Sequence, residues 1–233
     1  MMSVDPGVVT GVAVTNITHQ GVRFEELVKG LAMVRDANRG IGGKGAEGKL
    51  DIKWGELPVT TDAIPGSFVA WFQIGPARGP DSEYWTAVLL CDLVEWCGVD
   101  WLAIEDFILR IGKGSSGRDG LSAVRITANF MALLRERKLT AFSGIRGGVP
   151  NRMSQRGAMR LGNKGGCRVV WQSPADAKGV FTDARLRQHG LWVVGNEHAR
   201  DAMRHLALMW RKVEGQTKER WDAMYRHAMQ EPG

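Results

Sequence analysis

Val4-Asp5-Pro6-Gly7-Val8-Val9-Thr10-Gly11-Val12-Ala13-Val14 stands almost at the N-terminus and decides how the rest of the chain is read. β-Branched residues on both sides of a Pro-Gly pair spell strand, tight turn, strand, with one acid, Asp5, at the turn. An acid beside a turn is by itself an ordinary cap or surface group. Two further clusters change that reading. Trp101-Leu102-Ala103-Ile104 is a continuous apolar run of the kind buried on both faces of a sheet, and it ends in Glu105 and Asp106. Glu197-His198-Ala199-Arg200-Asp201-Ala202 falls on a predicted helix. Clusters so far apart in sequence meet only through the fold.

The chain has 233 residues, of which 44% are apolar. That suits one domain of generous size, or one domain with extensions. No run approaches the length of a membrane span and no charged-then-apolar leader opens the chain, so a soluble, cytoplasmic protein is expected. Cys91, Cys97 and Cys167 have neither disulfide-framework nor zinc-like spacing and read as buried, neutral thiols. Net charge is +6, unevenly spread: from Arg110 to Arg168 there are 13 Lys/Arg against two acids, Asp119 and Glu136, and the remainder is net acidic. Such segregation suits a basic face offered to a polyanion beside an acidic centre.

Taken in order, residues 1–30 read as two or three antiparallel strands: a short one ending at Asp5, then Val12–Thr18, then Val22–Leu27. Residues 36–66 are rich in Gly, Lys and Asp and read as a loop or insertion; their glycines lack the strand-then-helix setting of a phosphate loop. Ser67–Gln73 reads as a strand. Asp81–Trp96 reads as a helix capped by Asp81 or Ser82, with Trp85, Val88, Leu89 and Trp96 near one face and Asp92 and Glu95 on its wet side. Trp101–Ile104 then delivers Glu105 to the carboxyl end of a strand, the edge where open α/β sheets bind ligands. A loop over 111–120 carries Lys113 and Arg118. Leu121–Lys138 follows as a helix with Leu121, Val124, Ala128, Met131 and Leu134 as its core face. Residues 143–167 form a Gly/Arg-rich basic segment with Arg146, Arg152, Arg156, Arg160 and Lys164. Arg168–Gln172 returns as a strand, and Ser173 caps a helix that has Pro174 in its first turn. A last core helix runs from Gly195 and Asn196 to about Trp210, burying Ala199, Ala202, Leu206 and Met209. Residues 215–230 suggest one more helix, so the domain is read as 1–212 with a helical extension at 213–233.

Asp5, Glu105 and Asp201 together would put three negative charges into one site. Like charges at short range raise one another's pKa unless cations neutralise them. Carboxylate oxygens suit Mg²⁺ or Mn²⁺, and two such ions can activate water and stabilise a leaving oxygen in phosphodiester cleavage. His198, three residues before Asp201, shares its helical face and is read as a ligand or as a base orienting the attacking water. His205, four residues after Asp201, can join the same side. Neighbours on a strand point to opposite faces, which selects Glu105 over Asp106; the roles of Asp106, Glu197 and His205 stay open.

These residues resemble a known family. The strand pair with Asp5-Pro6-Gly7, the strand ending Ile104-Glu105 and the helix carrying His198-Ala199-Arg200-Asp201-Ala202 look like RuvC-type Holliday junction resolvases of the ribonuclease H-like superfamily. Glu105-Asp106-Phe107 and Gln172-Ser173-Pro174-Ala175-Asp176-Ala177-Lys178 look like the RuvC-like resolvases of bacteriophages. The resemblance implies an α/β fold with a mixed five-stranded sheet, its first three strands antiparallel, flanked by helices. It implies Asp5 and Glu105 as strand-borne metal ligands, with His198 and Asp201 as the helix pair. It further implies a homodimer nicking opposed strands of a four-way DNA junction, in the host cytoplasm for a phage protein. The sequence departs from the family in its short first strand, its 36–66 insertion and its basic 143–167 segment. Other ribonuclease H-like nucleases, acting on forks, flaps or RNA–DNA hybrids, would share these ligands. A non-catalytic DNA-binding module would use the acids only as caps and ion pairs. An actin-like or sugar-kinase-like ATP binder predicts a second glycine-rich strand turn, which the sequence lacks.

Overall fold

The computed structural model describes residues 1–15, 51–58, 68–76, 80–106, 118–140 and 167–228. Their elements are β1 (Met2–Asp5), β2 (Thr10–Thr15), β3 (Asp51–Pro58), β4 (Phe68–Gly75), α1 (Pro80–Trp96), β5 (Trp101–Glu105), α2 (Arg118–Glu136), β6 (Arg168–Gln172), α3 (Pro174–Val180), α4 (Asp183–Gln188) and α5 (Glu197–Ala228). The fold is α/β, with a mixed six-stranded sheet ordered β3-β4-β2-β1-β5-β6. β1, β2, β4 and β3 pair antiparallel in that succession, while β5 and β6 continue from β1 in parallel.

Side-chain alternation divides the central strands into a bulky face and a thin one. Met2, Val4, Val12, Val14, Leu102 and Ile104 join the cluster built with α1 and α2. On the other face Ala13 and Ala103 pack with Ala199, Ala202, Met203 and Leu206 of α5 and with residues of α3 and α4, and Ser3 donates from its hydroxyl to the Ala202 carbonyl at 2.6 Å. Small residues on this face let α5 come close. The approach is closest at Gly11, where a Cβ would overlap the His198 carbonyl and stand 2.9 Å from the Ala199 amide nitrogen.

Several elements differ from expectation. The sheet has six strands, not five, because Asp51–Pro58, within the stretch read as a glycine-rich insertion, forms edge strand β3. Its apolar signal is weak, with Trp54 48% exposed. Its end tolerates Pro58 because an edge strand need not donate on both sides, and Gly55 makes room for the Trp71 ring opposite it. β4 lies next to β2; Val22–Leu27 is outside the described residues, as is the predicted continuation of β2 beyond Thr15 to Thr18. The core face of α2 is Ala123, Ile126, Phe130, Leu133 and Leu134, whereas Leu121 and Val124 are 40% and 42% exposed and Ala128 is exposed too. The helix carries two apolar stripes, and the one with Ile126 and Phe130 wins because it fills more volume beneath the sheet. α5 is one helix of 32 residues, so the helix read at 215–230 is its distal part. A lone glycine such as Gly215 weakens a helix by ~1 kcal/mol without ending it.

Of the two acids expected on the wet side of α1, Glu95 is exposed, but Asp92 is largely covered and makes a 2.5 Å ion pair with Arg137. The three cysteines are buried, and burial first of all pushes each thiol up to about 12. No helix among the described residues is long and apolar enough to cross a membrane.

Because the obstacle at Gly11 is backbone, it cannot swing aside. Gly11→Ala is expected to destabilise the protein by at least ~1–3 kcal/mol, the usual cost of overpacking. Gly179→Ala is the control, since its Cβ would meet nothing within 4 Å. Denaturant titration of the two variants checks this; equal stabilities would remove the claimed close contact.

Candidate active site

β1 and β5 run parallel as neighbours, and Asp5 and Glu105 are their last residues. Both follow the alternation of Ser3 and Ala103, so both carboxylates leave the same end of the sheet on the thin face. α5 crosses that face. His198, Asp201 and His205 are spaced i, i+3, i+7 on it and therefore share one side of the helix. His198 Nδ1 lies 3.1 Å from Asp5 Oδ2, and His205 Nε2 lies 2.8 Å from Glu105 Oε2. Asp201, on the turn between them, takes cations instead: Lys178 Nζ at 3.1 Å from Oδ2 and the Arg204 guanidinium at Oδ1. Asp5, Glu105, His198 and Asp201 are thus brought to one place from three distant segments.

Asp106 is exposed, and its amide donates to the Gln172 carbonyl at 2.8 Å. Glu197 is exposed in the first turn of α5. Lys113, Arg146, Arg152, Arg156, Arg160 and Lys164 lie outside the described residues, and of Arg118 only its backbone position, at the start of α2, is described.

Lys178 and Arg204 were not marked by sequence reasoning as parts of the site. Lys178 arrives because Ser173 accepts from the Ala175 amide at 3.2 Å and turns the chain from β6 directly into α3. A signal for it existed: β6 is the parallel neighbour of β5, so the helix it feeds starts at the same sheet end. Arg204 is only 7% exposed. It donates from Nε to the Phe181 carbonyl at 3.0 Å and pairs with Asp183 as well as Asp201, tying the α3–α4 corner to α5.

The electrostatics follow from this crowding. Burial first, then the charges of Glu105 and Asp201, push Asp5 up to about 6 against the pull of its His198 hydrogen bond. The same hydrogen bond is the main reason His198 stands above its ordinary value, burial opposing it. Burial pulls the Lys178 ammonium down, but Asp201, by hydrogen bond and charge, leaves it raised overall.

As a donor set, these residues offer hard carboxylate oxygens and one imidazole, the chemistry that Mg²⁺ or Mn²⁺ accepts. Asp5 and Glu105 each have one carboxylate oxygen bonded to a histidine, leaving the other free among the described contacts. Both oxygens of Asp201 are engaged by cations. Among the described residues no three His, Cys, Asp or Glu side chains form a ready-made ion cage. Asp5 and Glu105, each with one uncommitted oxygen among the described contacts, are the residues that could hold a divalent ion, while Asp201 is engaged by Lys178 and Arg204.

Comparison with protein-family models finds no match, and neither does comparison with curated proteins.

The raised groups give a pH signature. Asp5 ionises near its ordinary 3.8 when unfolded and at about 6 when folded. The folded state therefore holds the proton more tightly, and this stabilisation is lost as pH rises from about 4 through about 6. His198, raised above 6.5, adds stability present below 6.5 and lost as pH rises through its folded value. Asp5→Asn removes both effects. The unfolding free energy of wild type minus that of Asp5→Asn, measured in chelator, is expected to fall between pH 4 and pH 7 by an amount on the order of 2 kcal/mol. A difference that stays flat or rises would place Asp5 in a less crowded site.

Proposed function

We propose that this protein is a ribonuclease H-like, metal-dependent endonuclease that resolves four-way DNA junctions by paired phosphodiester hydrolysis. The single observation that carries this reading is the convergence of Asp5, Glu105 and Asp201, with His198 on Asp5, at one end of the sheet. The strand order supports this reading: the six-stranded mixed sheet, with β4-β2-β1 antiparallel and then β5 and β6 parallel, is compatible with the five-stranded core that the resemblance implies plus an edge strand, β3.

Asp5 and Glu105 would hold the cation, with His198 and Asp201 as the helix-borne residues beside them. Mg²⁺ or Mn²⁺, two ions per centre in the complete site, would supply water activation and neutralise charge on the leaving oxygen. Asp5 orients His198 through Nδ1, leaving Nε2 as the ring nitrogen able to take a proton from attacking water. Lys178 and Arg204 pair with the two oxygens of Asp201. The basic residues Lys113, Arg118, Arg146, Arg152, Arg156, Arg160 and Lys164 contact DNA phosphates, and a homodimer places two centres on the opposed strands of one junction.

The test is cleavage of a labelled, immobile four-way junction with Mg²⁺ or Mn²⁺, beside linear duplex, fork, flap and RNA–DNA hybrid. The expected result is paired, symmetric nicks in the junction alone, abolished by chelator, Asp5→Asn and Glu105→Gln, with junction binding retained in both variants. Cutting of forks, flaps or hybrids instead moves the function to another ribonuclease H-like nuclease. One observation favours a second reading: Asp201 is already neutralised by Lys178 and Arg204, as in a DNA-binding module whose acids only make ion pairs. Tight junction binding without cutting of any substrate selects that module.

Junction affinity is also expected to fall steeply with salt, each neutralised phosphate adding ~0.9 to the logarithmic slope. Arg152→Ala with Arg156→Ala is expected to shallow that slope, read by titration at several salt concentrations. A flat dependence in the wild type would remove the basic segment from the interface.

A further inference from the structure

His205 is 1% exposed, yet both of its ring nitrogens are spoken for. Nε2 faces Glu105 Oε2 at 2.8 Å, and Nδ1 faces the Gln172 side-chain oxygen at 3.0 Å. Glu105 and Gln172 are register partners at the ends of β5 and β6. The ring from α5 therefore closes a three-residue link across the sheet end that carries the candidate site. Gln172 can serve the ring in either amide orientation. Its carbonyl oxygen accepts from Nδ1–H, or its NH₂ group, which is buried without a partner in the present orientation, turns to donate to Nδ1. In the second arrangement the neutral ring carries its proton on Nε2 and donates it to Glu105, so the link runs from Gln172 through His205 to Glu105.

A glutamate at a strand end has three side-chain torsions and, without support, no fixed choice of which oxygen it presents. Here Oε2 is committed to His205, and Oε1 keeps no partner among the described contacts. Ligating carboxylates are commonly held by such outer partners, whose loss weakens metal affinity by about 10–100-fold.

We propose that His205, gripped by Gln172, is a positioning residue that locks Glu105 with Oε1 as the oxygen offered to a divalent ion. This rests on reading the Asp5–Glu105 centre as cation-binding. His205 itself touches neither substrate nor ion; it acts through Glu105. The spacing follows the same logic. His198 serves the acid of β1 and His205, two turns on, serves the acid of β5, so one helix face sets both carboxylates.

The experiment is calorimetric titration of the full chain with MnCl₂, without DNA, for wild type, Asp5→Asn, His205→Leu and His205→Gln. Thermal melts and junction binding in chelator run in parallel. The expected result is Mn²⁺ affinity lost in Asp5→Asn and about 10–100-fold weaker in His205→Leu. His205→Gln, which returns an N–H at similar reach, is expected to recover most of it. Junction binding in chelator is expected to be equal in wild type and both His205 variants. Should His205→Leu fail to melt cooperatively, Gln172→Met, which keeps the volume and removes the grip on Nδ1, is expected to weaken Mn²⁺ binding in the same direction. Affinity lost in Asp5→Asn but unchanged in His205→Leu overturns this proposal alone, as does an equal loss in the Leu and Gln variants or, where the Leu variant does not fold, unchanged affinity in Gln172→Met. Absence of Mn²⁺ binding in the wild type overturns both the cation-binding reading and the role of His205.

Discussion

The constraint on which the structure depends is the close seating of α5 on the thin face of the sheet. Ser3, Gly11, Ala13 and Ala103 present almost no side-chain bulk there, and the helix answers with Ala199 and Ala202. Side chains extending from a strand end and from a helix side reach only a few ångströms. A helix held off by ordinary valines or leucines would leave Asp5 and His198 apart, and Glu105 and His205 likewise. The bulky face does the opposite work: Met2, Val4, Leu102 and Ile104 bury against α1 and α2 and supply the apolar contact that holds the sheet. One set of strands thus divides the two duties between its two faces.

Burial explains why so many partners surround the acids. An ionised carboxylate removed from water is costly unless hydrogen bonds or counter-charges replace the lost solvation. Each acid here has found a different answer. Asp5 shares a histidine and keeps a raised pKa, Glu105 is held by a histidine that is itself held, and Asp201 draws two cations. That gradation gives the three carboxylates unequal availability within one cluster, with Asp201 the most committed.

Much of this was legible in the sequence because it follows from local rules. The strand–turn–strand around Asp5, the helix from the 80s to Trp96, the strand Arg168–Gln172 and the Ser173 cap are all written in alternation, capping residues and turn chemistry. The choice of Glu105 over Asp106 follows from the two-residue period of a strand, and the buried stripe Ala199, Ala202, Leu206, Met209 from the helical one. What was not legible depended on tertiary context. β3 is an exposed edge strand whose residues carry little apolar pattern. The core face of α2 was chosen by volume between two plausible stripes. Lys178 joins the site through the parallel pairing of β6 with β5, Arg204 through the packing of α5 on the α3–α4 corner, which no spacing encodes, and the near contact at Gly11 looks in sequence like any other glycine of a turn.

The three native cysteines offer a practical opening. All are buried, and their thiols remain protonated far above neutral pH. Alkylating dyes, which react with exposed thiolate, will pass them by in the folded protein. A single cysteine introduced at Val194, which is 78% exposed and sits just ahead of the helix that carries His198, can then carry a fluorophore with no native cysteine removed, making the approach of a partner molecule visible in real time.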